Sequence, residues 1–114
     1  MPEEKHLHIV WTNADVVTSK HMVFMYACNS MKNSWWDKVT VVIWGATQTL
    51  VCEDEEIQKC IADARELGVE FSACLTCADI LGTTEKMRSM GLEVVRWGEK
   101  LSKLLQAGEH VITV

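Results

Sequence analysis

Apolar and polar positions follow two rhythms along this chain, and the switches between them mark its elements. "HLHIVWT", residues 6–12, is rich in β-branched residues, with Leu7, Ile9 and Val10 apolar, and predicts a first strand. A helical pattern follows from Val16 to Met31. "KVTVVIWG", residues 38–45, is almost continuously apolar, as expected of a central strand covered on both faces. In "EDEEIQKCIADAREL", Ile57, Cys60, Ile61, Ala64 and Leu67 recur at helical spacing. The acidic cluster Glu53 to Glu56 lies at the front of that helix, where the dipole favours negative charge.

The same joint then appears three times. "ARELG-VEFSAC", "MRSMG-LEVVRW" and "LLQAG-EHVITV" each set a glycine between a helical and an extended pattern. Gly68, Gly91 and Gly108 fit left-handed helix caps. Helix–Gly–strand units in series imply parallel strands joined by crossover helices. The expected fold is therefore α/β: one domain over residues 1–114, a three-layer α/β/α sandwich around a five-stranded parallel sheet. The sole proline, Pro2, interrupts nothing.

The first helical stretch is too apolar for a helix that simply lies on a sheet. Residues 22 to 28 are apolar most of the way round, and the Trp35–Trp36 pair extends the patch. Such a helix needs only one apolar stripe, so the outer face is expected to meet another subunit of a homo-oligomer.

Composition narrows the setting. Nearly half of the 114 residues are hydrophobic and 24% are charged, the balance of a globular domain large enough to need no disulfide or metal. The net charge of −5 and the scattered basic residues argue against nucleic acid. No apolar run approaches the roughly 18 residues of a membrane span, and "MPEEKHLHIV" lacks the features of a secretory signal. Five cysteines, at spacings unlike a disulfide framework, read as reduced thiols. A cytoplasmic protein is expected, with neither membrane nor nucleic acid as partner.

In an open parallel sheet, ligands bind beyond the carboxyl ends of the strands. Those ends deliver Thr12, Asn13 and Asp15 after the first strand, Gly45 and Thr47 after the second, Cys74 and then Cys77 after the third, and Trp97 after the fourth. The pair in "FSACLTCADILG" carries the most chemistry. Cys74 falls at a strand end and just before a helix start, whose amides lower a thiol's pKa. Cys77 falls three residues on, within disulfide reach. Cys28, Cys52 and Cys60 read as small buried apolar residues.

Other uses of the pair fit less well. A structural zinc site needs a second Cys or His pair at compatible spacing, and none occurs, so neither metal nor cofactor is expected. His6 and His8 alternate onto one face, which reads as an exposed or subunit-facing edge. A thioredoxin-type CxxC follows the first strand of its core and faces a proline. Here the pair follows the third strand and no such proline exists. Neither GxGxxG nor GxxxxGK[ST] is present, and "TNADVVTSK" lacks the glycines that close on phosphate.

Three segments in order resemble the DsrE/DsrF-like family of small sulfur-handling proteins. They are "VTVVIWGATQTLV" before an acidic helix, "IADARELGVEFSAC", and "MGLEVVRWGEKLSKLLQAGEHVITV". The resemblance covers nearly the whole chain. It implies a three-layer α/β/α sandwich assembled as a trimer or hexamer. It also implies that Cys74 accepts sulfane sulfur as a persulfide and exchanges it with a donor or acceptor protein. The chain departs from that pattern at Cys77, a second thiol able to attack a persulfide and release sulfide. No general base stands near Cys74, so activation would rest on helix-end amides and Thr76.

Sulfur transfer or thiol redox through Cys74, with Cys77 as modulator or resolving thiol, is thus the leading expectation. The alternatives are a non-catalytic small-ligand or partner-binding subunit using the loops after strands one and two, and a pure assembly subunit.

Overall fold

A computed structural model describes residues 4–114, and Pro2 lies outside the described residues. The strands are β1 (His6–Trp11), β2 (Lys38–Ile43), β3 (Glu70–Cys74), β4 (Glu93–Val95) and β5 (His110–Thr113). They form one sheet in the order β4-β3-β2-β1-β5, every pairing parallel. The expected α/β class and five-stranded parallel sheet are present, with the apolar β2 at the centre.

The first helical stretch contains α1 (Val16–Thr18), a π-helical segment (Ser19–Phe24) and α2 (Met25–Lys32). A π turn inserts an extra residue and rotates the residues after it, so Ser19, Val23 and Phe24 face inward before Ala27 and Ser30 take over. That shift explains part of the wrapped apolar pattern. The remainder is exposed: Val17 is 66% and Met25 48% accessible, and Trp35 in the following loop 53%.

The chain continues through α3 (Ala46–Glu53), α4 (Glu55–Glu66), α5 (Leu75–Leu81), α6 (Thr84–Ser89) and α7 (Gly98–Gln106). Asp54 accepts the Ile57 amide and so caps α4. Gly68, Gly91 and Gly108 all have positive φ, as expected of caps that a side chain would strain.

Alternation along each strand divides the sheet into two unlike faces. Leu7, Ile9 and Trp11 join Val39, Val41, Ile43, Phe71 and Ala73 in the main core. The helices from the π segment to α6 close that core, for example through Phe24, Ile57 and Met87. On the other face α7 is, among the described residues, the one covering helix, and it has no fully buried residue. The three-layer sandwich is therefore lopsided. Near the carboxyl ends of the strands the second face carries a small cluster of Val42, Cys74 and Trp97. Near their amino ends it is polar, with His8, Thr40 and Ser72 lining an open cavity.

His6 and His8 lie on this second face, but β1 is an interior strand between β2 and β5, not a sheet edge. Their ring centroids are 3.9 Å apart, and His6 Nε2 is 2.8 Å from Thr40 Oγ1. Burial is the first cause that holds both imidazoles below the ordinary value of 6.5, followed by Lys38 for His6 and by His6 for His8. In the window just below that value the folded chain binds fewer protons than the unfolded one. Stability accordingly falls as pH drops through the window, and this loss levels off below the native pKa values. Urea unfolding from about pH 7.5 to about pH 5.5 should show this slope, flattened in a His6→Gln/His8→Gln variant. An unchanged slope in that variant assigns the acid sensitivity elsewhere.

Candidate functional site

Cys74 is the last residue of β3 and the N-cap of α5, so strand and helix join without a loop. In register it pairs with Val95. Its side chain lies in the second-face cluster with Val42 and Trp97, bordered by Trp44, Cys77, Val95 and Leu104, and Cys74 is 3% exposed. Cys77, in the first turn of α5, is only partly buried. Both cysteines are free thiols.

Cys77 packs against the cluster that holds Cys74, with Trp44 beside both. Burial pushes the Cys77 thiol up, the Cys74 thiol adds to that, and the Gly45 and Trp44 donors oppose it. Gly45 adopts φ 73° and ψ −133°, a conformation essentially reserved for glycine, which fixes this amide between β2 and α3. Thr76 is exposed beside the pair. The expected attacking sulfur, Cys74, is thus the inaccessible one, because alternation turns it beneath α7, while the helical turn carries Cys77 toward solvent. Cys28, Cys52 and Cys60 are partly buried against the main core, and burial raises their thiols as it does that of Cys77. Among the described residues no three His, Cys, Asp or Glu side chains are arranged to hold a metal ion.

The other expected ligand residues are engaged elsewhere. The amides of Thr12 and Asn13 and the Thr12 hydroxyl all donate to the main-chain oxygen of Val114, extending the β1–β5 pairing. Asn13 Oδ1 accepts the Asp15 amide, and Asp15 caps α1 through the Thr18 amide, bonds that hold its carboxyl below the usual range. Thr47 is fully buried and donates to the Trp11 carbonyl at 2.7 Å. Trp97 is 6% exposed, its indole donating to Ser72 Oγ at 2.7 Å. Thr12, Asn13, Asp15 and Thr47 thus serve as turn, cap and strand supports, the first three of them exposed, and Trp97 packs over Cys74.

No family model matches this sequence, and no curated protein does. A solved structure does match: a conserved protein of unknown function, BT1422, from Bacteroides thetaiotaomicron. The similarity has a TM-score of 0.93 at 30% identity and covers 96% of this chain and 95% of that one. The chain belongs to the same family as BT1422. Coverage this high on both sides makes the fold common to the two proteins over nearly all of their length.

Within this BT1422-type fold, three positions matter to the site that strand-end reasoning missed. Gln48 is fully buried on α3. Its Nε2 donates to the Ile43 carbonyl at 3.1 Å and the Cys74 carbonyl at 2.9 Å, and its Oε1 accepts from Thr83 Oγ1 at 3.2 Å. One amide thereby ties the ends of β2 and β3 to the turn before α6. Ser72 receives the Trp97 indole and lies 3.3 Å from Glu93 Oε1. Trp44 borders the pair directly. A polar residue inside an apolar helical run was the available signal for Gln48. For Ser72 it was its period-two relation to Cys74.

Proposed function

We propose that this protein handles sulfane sulfur through the Cys74–Cys77 pair, in the manner of the DsrE/DsrF-like family it resembles. The carrying observation is two free thiols packed in one cluster at the carboxyl end of the sheet, one buried and one partly accessible. In this reading the accessible Cys77 attacks first and the buried Cys74 resolves, the reverse of the order expected from the sequence. The Cys77 thiolate, facing the Gly45 amide and Trp44 indole, attacks the outer sulfur of a donor persulfide R–S–SH. A Cys77–S–SH forms and the thiolate R–S⁻ leaves. The Cys74 thiolate then attacks the Cys77 sulfur of that persulfide, forming a Cys74–Cys77 disulfide and expelling HS⁻. A dithiol reductant restores both thiols by exchange. If a partner's thiolate takes the outer sulfur first, the same persulfide serves a carrier.

A homo-oligomer, trimer or hexamer, belongs to this reading. The apolar exposure of Val17, Met25 and Trp35 supports it, as does the resemblance.

The reduced protein is to be treated with a low-molecular-weight persulfide and mapped by mass spectrometry. Wild type should release sulfide and form the intramolecular disulfide. Cys74→Ser should retain one extra sulfur atom on Cys77, and Cys77→Ser should do neither. A Cys77→Ser protein that takes up sulfur as wild type does would sink the assignment of roles. Uptake unaffected by both substitutions would sink the function.

A further inference from the structure

The groove between the first helical stretch and α4 gathers sulfur. Met25 and Cys28 are three apart on α2, a spacing that puts both on one side of the helix. Cys60 lies on α4, and the Lys20–Glu56 ion pair joins that helix to the π segment. Met25, Cys28 and Cys60 line one cavity of about 280 Å³, with Phe24, Lys32 and Asp63 among its other walls. That volume falls just under the roughly 300–1,000 Å³ of small-molecule sites, but it is ample for an ion.

Two thiols in one cavity can serve as a nucleophile, a disulfide or metal ligands. Both cysteines are free. Burial raises both thiols above the ordinary value of 9.0, and the Cys60 thiol adds to that at Cys28, which weighs against a nucleophile. A cation between them offsets both effects, because ligation displaces the thiol protons.

The donors and charges decide which cation. Soft thiolate and thioether ligands select Cu(I) over hard ions. A zinc site is ordinarily closed by four ligands, and among the described residues no three His, Cys, Asp or Glu side chains are arranged to hold a metal ion. Asp63, the one carboxylate lining the cavity, pairs with Lys59 at 2.9 Å. The charge of Lys32 acts on Cys28 and that of Lys20 on Cys60. One monovalent cation between two thiolates leaves a single negative charge, which these lysines offset, whereas they repel a divalent ion.

We propose that Cys28, Cys60 and Met25 bind one soft monovalent cation of the Cu(I) class. Binding releases two thiol protons to solvent and changes no oxidation state. Cys28 and Cys60 pack against the main core, across the sheet from the Cys74–Cys77 cluster. The site is therefore separate from the thiol pair and does not depend on its chemistry.

The test is anaerobic titration with Cu(I) in competition with bicinchoninate. It uses the full chain carrying Cys74→Ser and Cys77→Ser, which removes the other thiol pair. That protein should withhold a single equivalent of Cu(I) from the chelator and develop thiolate-to-metal absorption in the ultraviolet. Adding Cys28→Ser or Cys60→Ser, with folding checked by circular dichroism, should abolish that equivalent, whereas adding Cys52→Ser should leave it in place. Met25→Leu, close to volume-conserving, should weaken binding at least about tenfold. Failure to withhold any Cu(I) overturns the site. An equivalent retained without Cys28 or without Cys60 overturns the ligand pair, and unchanged affinity in Met25→Leu overturns the part of the thioether. Displacement of Cu(I) by an equal concentration of Zn(II) overturns the soft, monovalent class.

Discussion

Replacing Gln48 with leucine should lower the unfolding free energy by about 3 kcal/mol. The side chain is fully buried and serves three partners: the Ile43 and Cys74 carbonyls and the Thr83 hydroxyl. Each buried group left without a partner costs about 1–3 kcal/mol, and a carbonyl with another donor nearby loses less. Leucine regains some of the loss by burying a similar apolar volume, so the net falls at the low end of the sum. At about 0.05–0.15 kcal/mol per residue, a chain of this size holds roughly 6–17 kcal/mol. The variant should therefore fold, with its urea midpoint lowered and its m-value unchanged. Because the Cys74 carbonyl is one of the three partners, persulfide uptake at Cys77 should fall as well. A stability loss below about 1 kcal/mol would show that the amide does not tie the strands.

Gln48 also marks the limit of what is legible in the sequence. The sheet is readable because two periods differ, 2 for strands and 3.6 for helices, and because glycines with positive φ end three helices. The thiol pair is readable because a strand end and a helix start coincide at Cys74. The hydrogen bonding of the loop after β1 is not legible, because it is a competition that spacing cannot decide. Thr12, Asn13 and Asp15 look free in the sequence, but β5 lies beside β1, and Val114 takes the donors of Thr12 and Asn13.

The second face escapes for a related reason. Alternation says which residues share a face, but not how much of that face one short helix covers. The strand order places β5 beyond β1, and among the described residues α7 alone spans the second face on the way to it. His6 and His8 consequently lie on an interior strand beside a cavity. The π segment likewise leaves no sequence mark beyond the apparent wrapping of apolar residues between Met22 and Cys28.

The effect most informative about function is expected at Trp97. Trp97→Ala should raise the rate at which Cys74 is alkylated by roughly 30- to 150-fold. Cys74 is 3% exposed and shares its cluster with Trp97 and Val42, so reagent reaches it through local opening. Removing a buried side chain of this size costs about 2–3 kcal/mol of that opening energy, and each 1.36 kcal/mol is tenfold in rate. The indole is latched: its N–H donates to Ser72 Oγ, Ser72 lies 3.3 Å from Glu93, and Glu93 pairs with Lys100. The Lys100 ammonium returns over the indole ring at 5.2 Å, closing the circuit. Ser72→Ala removes one hydrogen bond of about 1 kcal/mol and should raise the Cys74 rate about fivefold. Cys77, already partly accessible, should change little in either variant. Peptide-resolved alkylation with N-ethylmaleimide separates the two thiols. Equal acceleration at both would indicate global loosening, whereas acceleration confined to Cys74 identifies Trp97 as its cover. The same variants then bear on sulfur release. If Cys74 resolves a Cys77 persulfide from beneath that cover, freeing it should speed sulfide release without altering uptake at Cys77. Faster uptake with unchanged release would instead return Cys74 to the role of first acceptor.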